Sequence, residues 1–314
     1  MTKTRLLAWL AALYLLAGPA WGAPDEGGSL RVSVDGETVP FHVFSLFPMP
    51  AAELHIHAAA GPQAGDGVAI SVSAGRLTAT APGRWVWQAP ADPGLARIAL
   101  VHAASGDRVD LNVFVKTPAR HDQTSLKGYR IGRYQPEALR GNPVYARPDG
   151  FVEVTEANRQ TRVSPHFTLE QFLCKQADGP PRFLLVAPRL LIKLEATLAA
   201  LHAQGIAADT LFVMSGFRTP WYNRSIGNTT VYSRHLYGDA ADIFVDQDND
   251  GLMDDLDGDG VISRDDAAYL ARLVEQAVAA HEGVPLTGGL GIYGPASHRG
   301  PFVHVDVRGY RARW

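Results

Sequence analysis

The chain has 314 residues, 46% of them apolar and 19% charged, with a formal net charge of −3. That length supports two modest domains with real cores, and that composition excludes a disordered chain. The near-neutral balance also argues against nucleic acid as a partner.

The first element stands apart. Lys3 and Arg5 precede an apolar run from Leu6 to Leu16, and Ala20-Trp21-Gly22 fits a small-x-small cleavage signal. This predicts a signal peptide over residues 1–22 and export to the periplasm or cell envelope. The run is short for a membrane span, and no later stretch is long and apolar enough, so no stable span is expected after cleavage. Cys174 is the only cysteine, which excludes an intrachain disulfide and a cysteine-based metal site.

Residues 24–118 carry short alternating segments such as Leu30-Arg31-Val32-Ser33-Val34, Val68 to Val72 and Asp110 to Val115, with Gly and Pro between them. This predicts an all-β sandwich, immunoglobulin-like in its Trp85-Val86-Trp87 strand and the strand from Ala96 to His102. His55 and His57 share one face of a strand and read as half-exposed side chains. Residues 119–163 form a connector in which Gly128-Tyr129-Arg130-Ile131-Gly132-Arg133-Tyr134 is too aromatic for a free linker; it is expected to pack on a neighbouring domain.

Residues 164–314 read as an α+β domain. Thr168, with Gln171 as reciprocal partner, caps a short helix to about Lys175. Pro188 opens a long helix with an apolar stripe through Leu190, Leu191, Leu194, Leu198 and Leu201, ended by Gly205. Leu211 to Met214 reads as a buried strand, and a further helix runs from about Asp265 to Ala280.

Two segments of this domain carry metal-binding chemistry. Ser233-Arg234-His235-Leu236-Tyr237-Gly238-Asp239-Ala240-Ala241-Asp242 supplies a histidine and an aspartate seven residues apart, with a glycine that allows a tight turn between them. Phe302-Val303-His304-Val305-Asp306 places His304 and Asp306 on one strand face, with the valines on the other. Three His or carboxylate ligands with an open fourth position describe a catalytic zinc site. The spacing alone leaves this undecided against an ordinary strand histidine and a turn aspartate.

The complete pattern resembles the M15 family of zinc D-alanyl-D-alanine peptidases, closest to the periplasmic murein endopeptidase branch. Ser215-Gly216-Phe217-Arg218-Thr219-Pro220, Gly288-Gly289-Leu290-Gly291-Ile292-Tyr293 and the ending Arg308 to Trp314 follow in the family's order. The resemblance covers residues 164–314 and not the sandwich. It implies zinc on His235, Asp242 and His304, peptidoglycan as substrate, and a catalytic or substrate-binding role for Arg218, with Ser233 and Tyr293 also at the substrate. Where family members place a general base before the last ligand, this chain has Pro301 and Phe302. Asp306 is the replacement candidate, either as the proton carrier or as a group that orients His304; Asp239 and His298 are weaker ones.

An Asp-rich insertion, 246–266, follows directly, with nine aspartates against one arginine. Counted from Asp255, the EF-hand pattern falls on Asp257, Asp259, Gly260, the Val261 carbonyl, Ser263 and Asp266, with Asp where Glu is usual in the last position. A second, overlapping register runs through Asp246, Asp248, Asp250, Gly251, Asp254 and Asp257. Carboxylates this dense repel one another without a cation, so structural calcium is expected. The functional expectation is murein endopeptidase action on cross-links. The alternatives are D,D-carboxypeptidase action on the stem terminus, or a non-catalytic, calcium-dependent cell-wall-binding protein.

Overall fold

A computed structural model describes residues 29–314 apart from 62, 65 and 66. The expected signal peptide lies outside the described residues. The chain is mostly β, with few helices.

The N-terminal part forms two sheets. The first joins β2 (Glu37–Thr38), β1 (Leu30–Val34), β4 (Glu53–Ala60), β8 (Arg84–Gln88) and β7 (Arg76–Ala81), with β5 (Gln63–Ala64) beside β4. The second joins β3 (Val43–Leu46), β10 (Arg108–Val115), β9 (Gly94–His102) and β6 (Val68–Val72). Alternation decides which side chains enter the core: Val32, Ile56 and Trp87 of one sheet and Ile98, Leu100 and Leu111 of the other are buried in one cluster. His55 is exposed and His57 half-buried on β4, and among the described residues neither joins a metal-capable group.

The connector is structural. Only Lys116 separates β10 from β11 (Thr117–Pro118), which pairs with β14 (Gly150–Val154); β14 in turn pairs with β17 (Arg182–Leu184). One three-stranded sheet therefore ties the sandwich strand, the connector and the C-terminal domain together. Between them lie the hairpin of β12 (Ser125–Leu126) with β13 (Tyr129–Arg130) and that of β15 (Arg162–Ser164) with β16 (Phe167–Thr168). Asn112 of β10 donates to the Arg162 carbonyl at 2.9 Å, which fastens β15 to the second sheet.

In the C-terminal domain, α1 (Pro188–Ala203) and α3 (Arg264–Ala280) pack together beside a five-stranded sheet, with the short α2 (Pro220–Ser225) between them in sequence. Its order is β18 (Phe212–Ser215), β19 (Ala240–Phe244), β21 (Phe302–Asp306), β20 (Gly289–Tyr293), β22 (Ala312–Arg313). Ala241, Ile243, Val303 and Val305 are fully buried in the core. Ser263 caps α3 by accepting from the Asp265 amide at 2.9 Å. Two local expectations change. The segment after Thr168 is a single 3-10 turn, Leu169–Phe172. The Thr168 amide does bond Gln171 Oε1 at 2.7 Å, but the Phe172 carbonyl is taken by the Phe217 amide, so the turn does not propagate. β18 is an edge strand: Leu211 before it is buried, while Phe212 is 37% exposed and stacks on Phe244 with centroids 4.5 Å apart.

Candidate metal centre

Strand register puts most of the centre in one row. Asp242 of β19 lies directly opposite His304 of β21, Ser215 of β18 flanks Asp242, and Gly291 of β20 flanks His304. Side chains opposite one another in a ladder share a face, so Asp242 and His304 meet without help from any loop.

His235 arrives from above the sheet, on the 3-10 turn Arg234–Tyr237. Gly238 closes this turn at φ +71°, and a Cβ there would come within 2.4 Å of the Leu185 backbone, so no other residue fits. The connector clamps the same turn. Tyr134 donates its hydroxyl to the Leu236 carbonyl at 2.7 Å, Arg234 donates to the Val144 carbonyl at 2.9 Å, and Tyr232 donates to the Glu137 carbonyl at 2.9 Å. The Arg234 guanidinium also lies 4.2 Å from the Tyr145 ring centroid and 4.7 Å from that of Tyr237.

The three expected ligands converge. His235 Nε2 lies 3.2 Å from His304 Nδ1 and 3.2 Å from Asp242 Oδ1, and His304 Nδ1 lies 2.8 Å from Asp242 Oδ1. The remaining nitrogens face acceptors: His235 Nδ1 the Gly216 carbonyl at 2.7 Å, and His304 Nε2 the Asp306 carboxylate at 3.3 Å. With both outward nitrogens protonated, two lone pairs and a carboxylate oxygen point at one spot, an arrangement that needs a cation between them. Ligand atoms bound at about 2.0–2.1 Å in a tetrahedron stand about 3.3 Å apart, close to the observed spacing. The residues present therefore fit a tetrahedral metal ion.

Electrostatics show that the spot favours positive charge, so that a proton on His304 competes with a metal ion. Burial pushes the His235 imidazole down and keeps it neutral. Burial also opposes charge on His304, but its hydrogen bonds to Asp242 and Asp306 outweigh this and raise it. Asp242 is held ionised, well below the usual range, because its two histidine partners overcome its burial. Arg218 pairs with the other oxygen of Asp242 and donates to Ser215 Oγ at 2.7 Å.

Asp306 sits behind His304, fully buried. It accepts from the Gly289 amide at 2.8 Å, the Arg308 amide at 3.0 Å and the Arg308 guanidinium; burial raises it, but the bonds with His304 and then Arg308 outweigh this and hold it far below the usual carboxylate range. That is the geometry of a group that orients a ligand histidine. Asp239 is buried against Arg234, and His298 is exposed in the loop before β21. Pro301 and Phe302 hold the positions where a base was sought, and Phe302 stacks on Tyr293 with centroids 4.5 Å apart. The cleft is about 400 Å³ and is lined by Ser233, Tyr293 and Trp314 together with the ligands and Arg218, Arg234 and Arg308.

The insertion begins two residues after β19. Its carboxylates form two separate groups, Asp246 with Asp248 and Asp250, and Asp255 with Asp257 and Asp259. Asp246 accepts from the Asp250 and Gly251 amides, and Asp255 from those of Gly258 and Gly260. Asp254 turns back to accept from Gln247. Asp266 departs from its expected place in the second group. It is fully buried and is spent on the Leu256, Asp257 and Ser263 amides. Ser263 acts as the cap of α3, and Val261 and Ile262 are exposed.

Residues 165–256 match the family described as Peptidase M15. The span contains Arg218, His235 and Asp242 and stops short of His304. The match covers less than a third of the chain, and over that segment the sequence is similar to that family. No curated protein matches the chain. Among solved structures, the chain is similar to one described as ZirS C-terminal Domain, with 13% identity, a TM-score of 0.17, and coverage of 37% of this chain and 84% of that one. A superposition that loose carries no argument.

The sequence motif singled out the three side chains that converge here, with Arg218 beside them. It missed Tyr134 and the Val144 carbonyl, which hold the turn under His235. The one signal for them was the aromatic density of residues 128–134. It also missed Lys193, buried in α1, whose ammonium donates to the Asp306 carbonyl oxygen at 2.9 Å.

Proposed function

We propose that the chain is an exported zinc-dependent murein peptidase that hydrolyses peptide bonds in peptidoglycan, with cross-links as first substrate and the stem terminus as second. The observation that carries this reading is the convergence of His235 Nε2, Asp242 Oδ1 and His304 Nδ1 in an open cleft, the first two of them within the segment that matches the M15 family. His235, Asp242 and His304 would hold zinc, which supplies Lewis acidity and an activated water when bound. Asp306 and the Gly216 carbonyl fix the two imidazoles in the tautomers that face inward. Arg218 fixes Asp242, while Arg234 and Arg308 line the cleft paired with Asp239 and Asp306.

The N-terminal sheets are read as an immunoglobulin-like spacer or wall-contact module. The two aspartate groups of the insertion are read as structural calcium loops. In each, the first aspartate accepts from the amide five residues on, Asp246 from Gly251 and Asp255 from Gly260, which resembles EF-hand turns.

One observation favours a second reading, a wall-binding protein without turnover: no carboxylate or histidine stands at 301 or 302, and Phe302 is stacked away on Tyr293. Incubating the purified protein with zinc and defined muropeptides separates the two. Conversion of cross-linked dimers to monomers supports the first reading, and release of terminal D-alanine shifts it to carboxypeptidase action. Binding without cleavage supports the second. Full activity in His304→Ala would remove the metal mechanism.

A further inference from the structure

We infer that the Tyr293 hydroxyl, held by the Trp314 indole, is the donor that stabilises the oxyanion formed on the scissile carbonyl; this rests on the peptidase reading. Attack on an amide carbonyl moves charge onto its oxygen, and a fixed donor aimed at that oxygen is among the largest contributions to such a reaction. The cleft's guanidinium groups are already engaged. Arg218 is paired with Asp242, Arg234 with Asp239 and Arg308 with Asp306. The Tyr232 hydroxyl proton goes to the Glu137 carbonyl.

Tyr293 differs. Its oxygen accepts from Trp314 Nε1 at 2.6 Å, and no acceptor among the described residues takes its own proton. An N–H donated to a phenol oxygen polarises the O–H and strengthens it as a donor. The placement is built in. Gly291 lies opposite His304 in the ladder. A Cβ at Gly291 would come within 2.4 Å of Trp314 Nε1 and 3.0 Å of the Tyr293 ring, so both side chains lean over the glycine beside His304. The Trp314 and His304 ring centroids are 5.1 Å apart, and stacking on Phe302 at an interplanar angle of 4° fixes the Tyr293 ring from its other side. The missing carboxylate and this phenol thus belong together: Phe302, at a position where a base was expected, is the platform for Tyr293.

In the step itself, a C–O bond forms to water, the C–N bond breaks, and the water's proton passes to the leaving amine. Tyr293 keeps its own proton and donates a hydrogen bond throughout, so it carries no net charge.

The test compares wild type with Tyr293→Phe, Trp314→Phe and Ser233→Ala on a defined muropeptide, with zinc content and melting temperature measured for each. Tyr293→Phe is expected to lower kcat by about 100- to 1000-fold with KM nearly unchanged. It is also expected to weaken a phosphinate analogue of the scissile bond in proportion, with zinc content intact. Trp314→Phe is expected to lower kcat by about tenfold, as loss of polarisation without loss of the donor. Wild-type kcat and phosphinate affinity in Tyr293→Phe would overturn the inference alone, as would a loss confined to Ser233→Ala. A wild type that binds the muropeptide and never cleaves it would overturn the peptidase reading and this inference with it.

Discussion

Replacing Asp306 with asparagine separates orientation from proton transfer. The native carboxylate accepts from the Gly289 amide, the Arg308 amide and the Arg308 guanidinium, and faces His304 Nε2 at 3.3 Å, with no exposure to solvent. The amide has one acceptor oxygen, so its NH2 group must turn towards His304 or Arg308, both of them donors. Breaking a buried ion pair by removing one charge costs about 3–5 kcal/mol of stability. Loosening a ligand histidine weakens metal binding about 10- to 100-fold, or about 1.4–2.7 kcal/mol. Because the folded Asp306 lies far below its unfolded value, its contribution is present above about pH 4 and is lost as pH falls further. Competition against a chromophoric chelator gives the zinc affinity, and urea unfolding in excess chelator gives the metal-free stability. Unchanged values for both would refute the orienting role. Lost turnover with intact zinc affinity would instead make Asp306 the proton carrier.

Other perturbations address the frame around the centre. Tyr134→Phe leaves the buried Leu236 carbonyl without its donor, which should destabilise the chain by about 1–3 kcal/mol and weaken zinc binding, both readable by calorimetry. Gly238→Ala strains a φ of +71° and drives a Cβ into the Leu185 backbone; a fall in melting temperature larger than the one from Tyr134→Phe is expected. Lys193 is buried and pushed down to about 8 by desolvation. The unfolded chain therefore binds more protons than the folded one between about pH 8 and 10.5, and stability should rise across that window by about 3 kcal/mol. Lys193→Met should flatten the rise in a pH series of urea melts. For the insertion, calcium should raise the melting temperature and slow proteolysis between residues 246 and 266. No change in either would remove the calcium reading.

What was legible in the sequence follows from period and motif. Alternation marked β1, β6 and β10 because a half-buried strand must repeat every second residue. The apolar stripe marked α1 because Leu190, Leu194, Leu198 and Leu201 share one helical face. His235, Asp242 and His304 were legible as a group because the motif names these positions together. Tyr134 was not, since a single hydroxyl reaching a carbonyl 102 positions away leaves no periodic trace. The helix expected after Thr168 stopped short because a tertiary bond from Phe217 claimed the Phe172 carbonyl, and local capping signals contain no such information. Asp266 was expected among calcium ligands by counting, and counting cannot show that it is buried and accepts from three backbone amides.

The shared sheet of β11, β14 and β17 has a consequence for reach. A module on a slack tether samples a volume around its partner. Here β10 runs through Lys116 straight into β11, and strand pairing carries on through β14 to β17 in the C-terminal domain, so the two ends act like the fixed jaws of a caliper. If the sandwich grips the wall, only bonds at one set distance and bearing fall into the cleft. Selection among chemically identical cross-links would then be made by position in the meshwork.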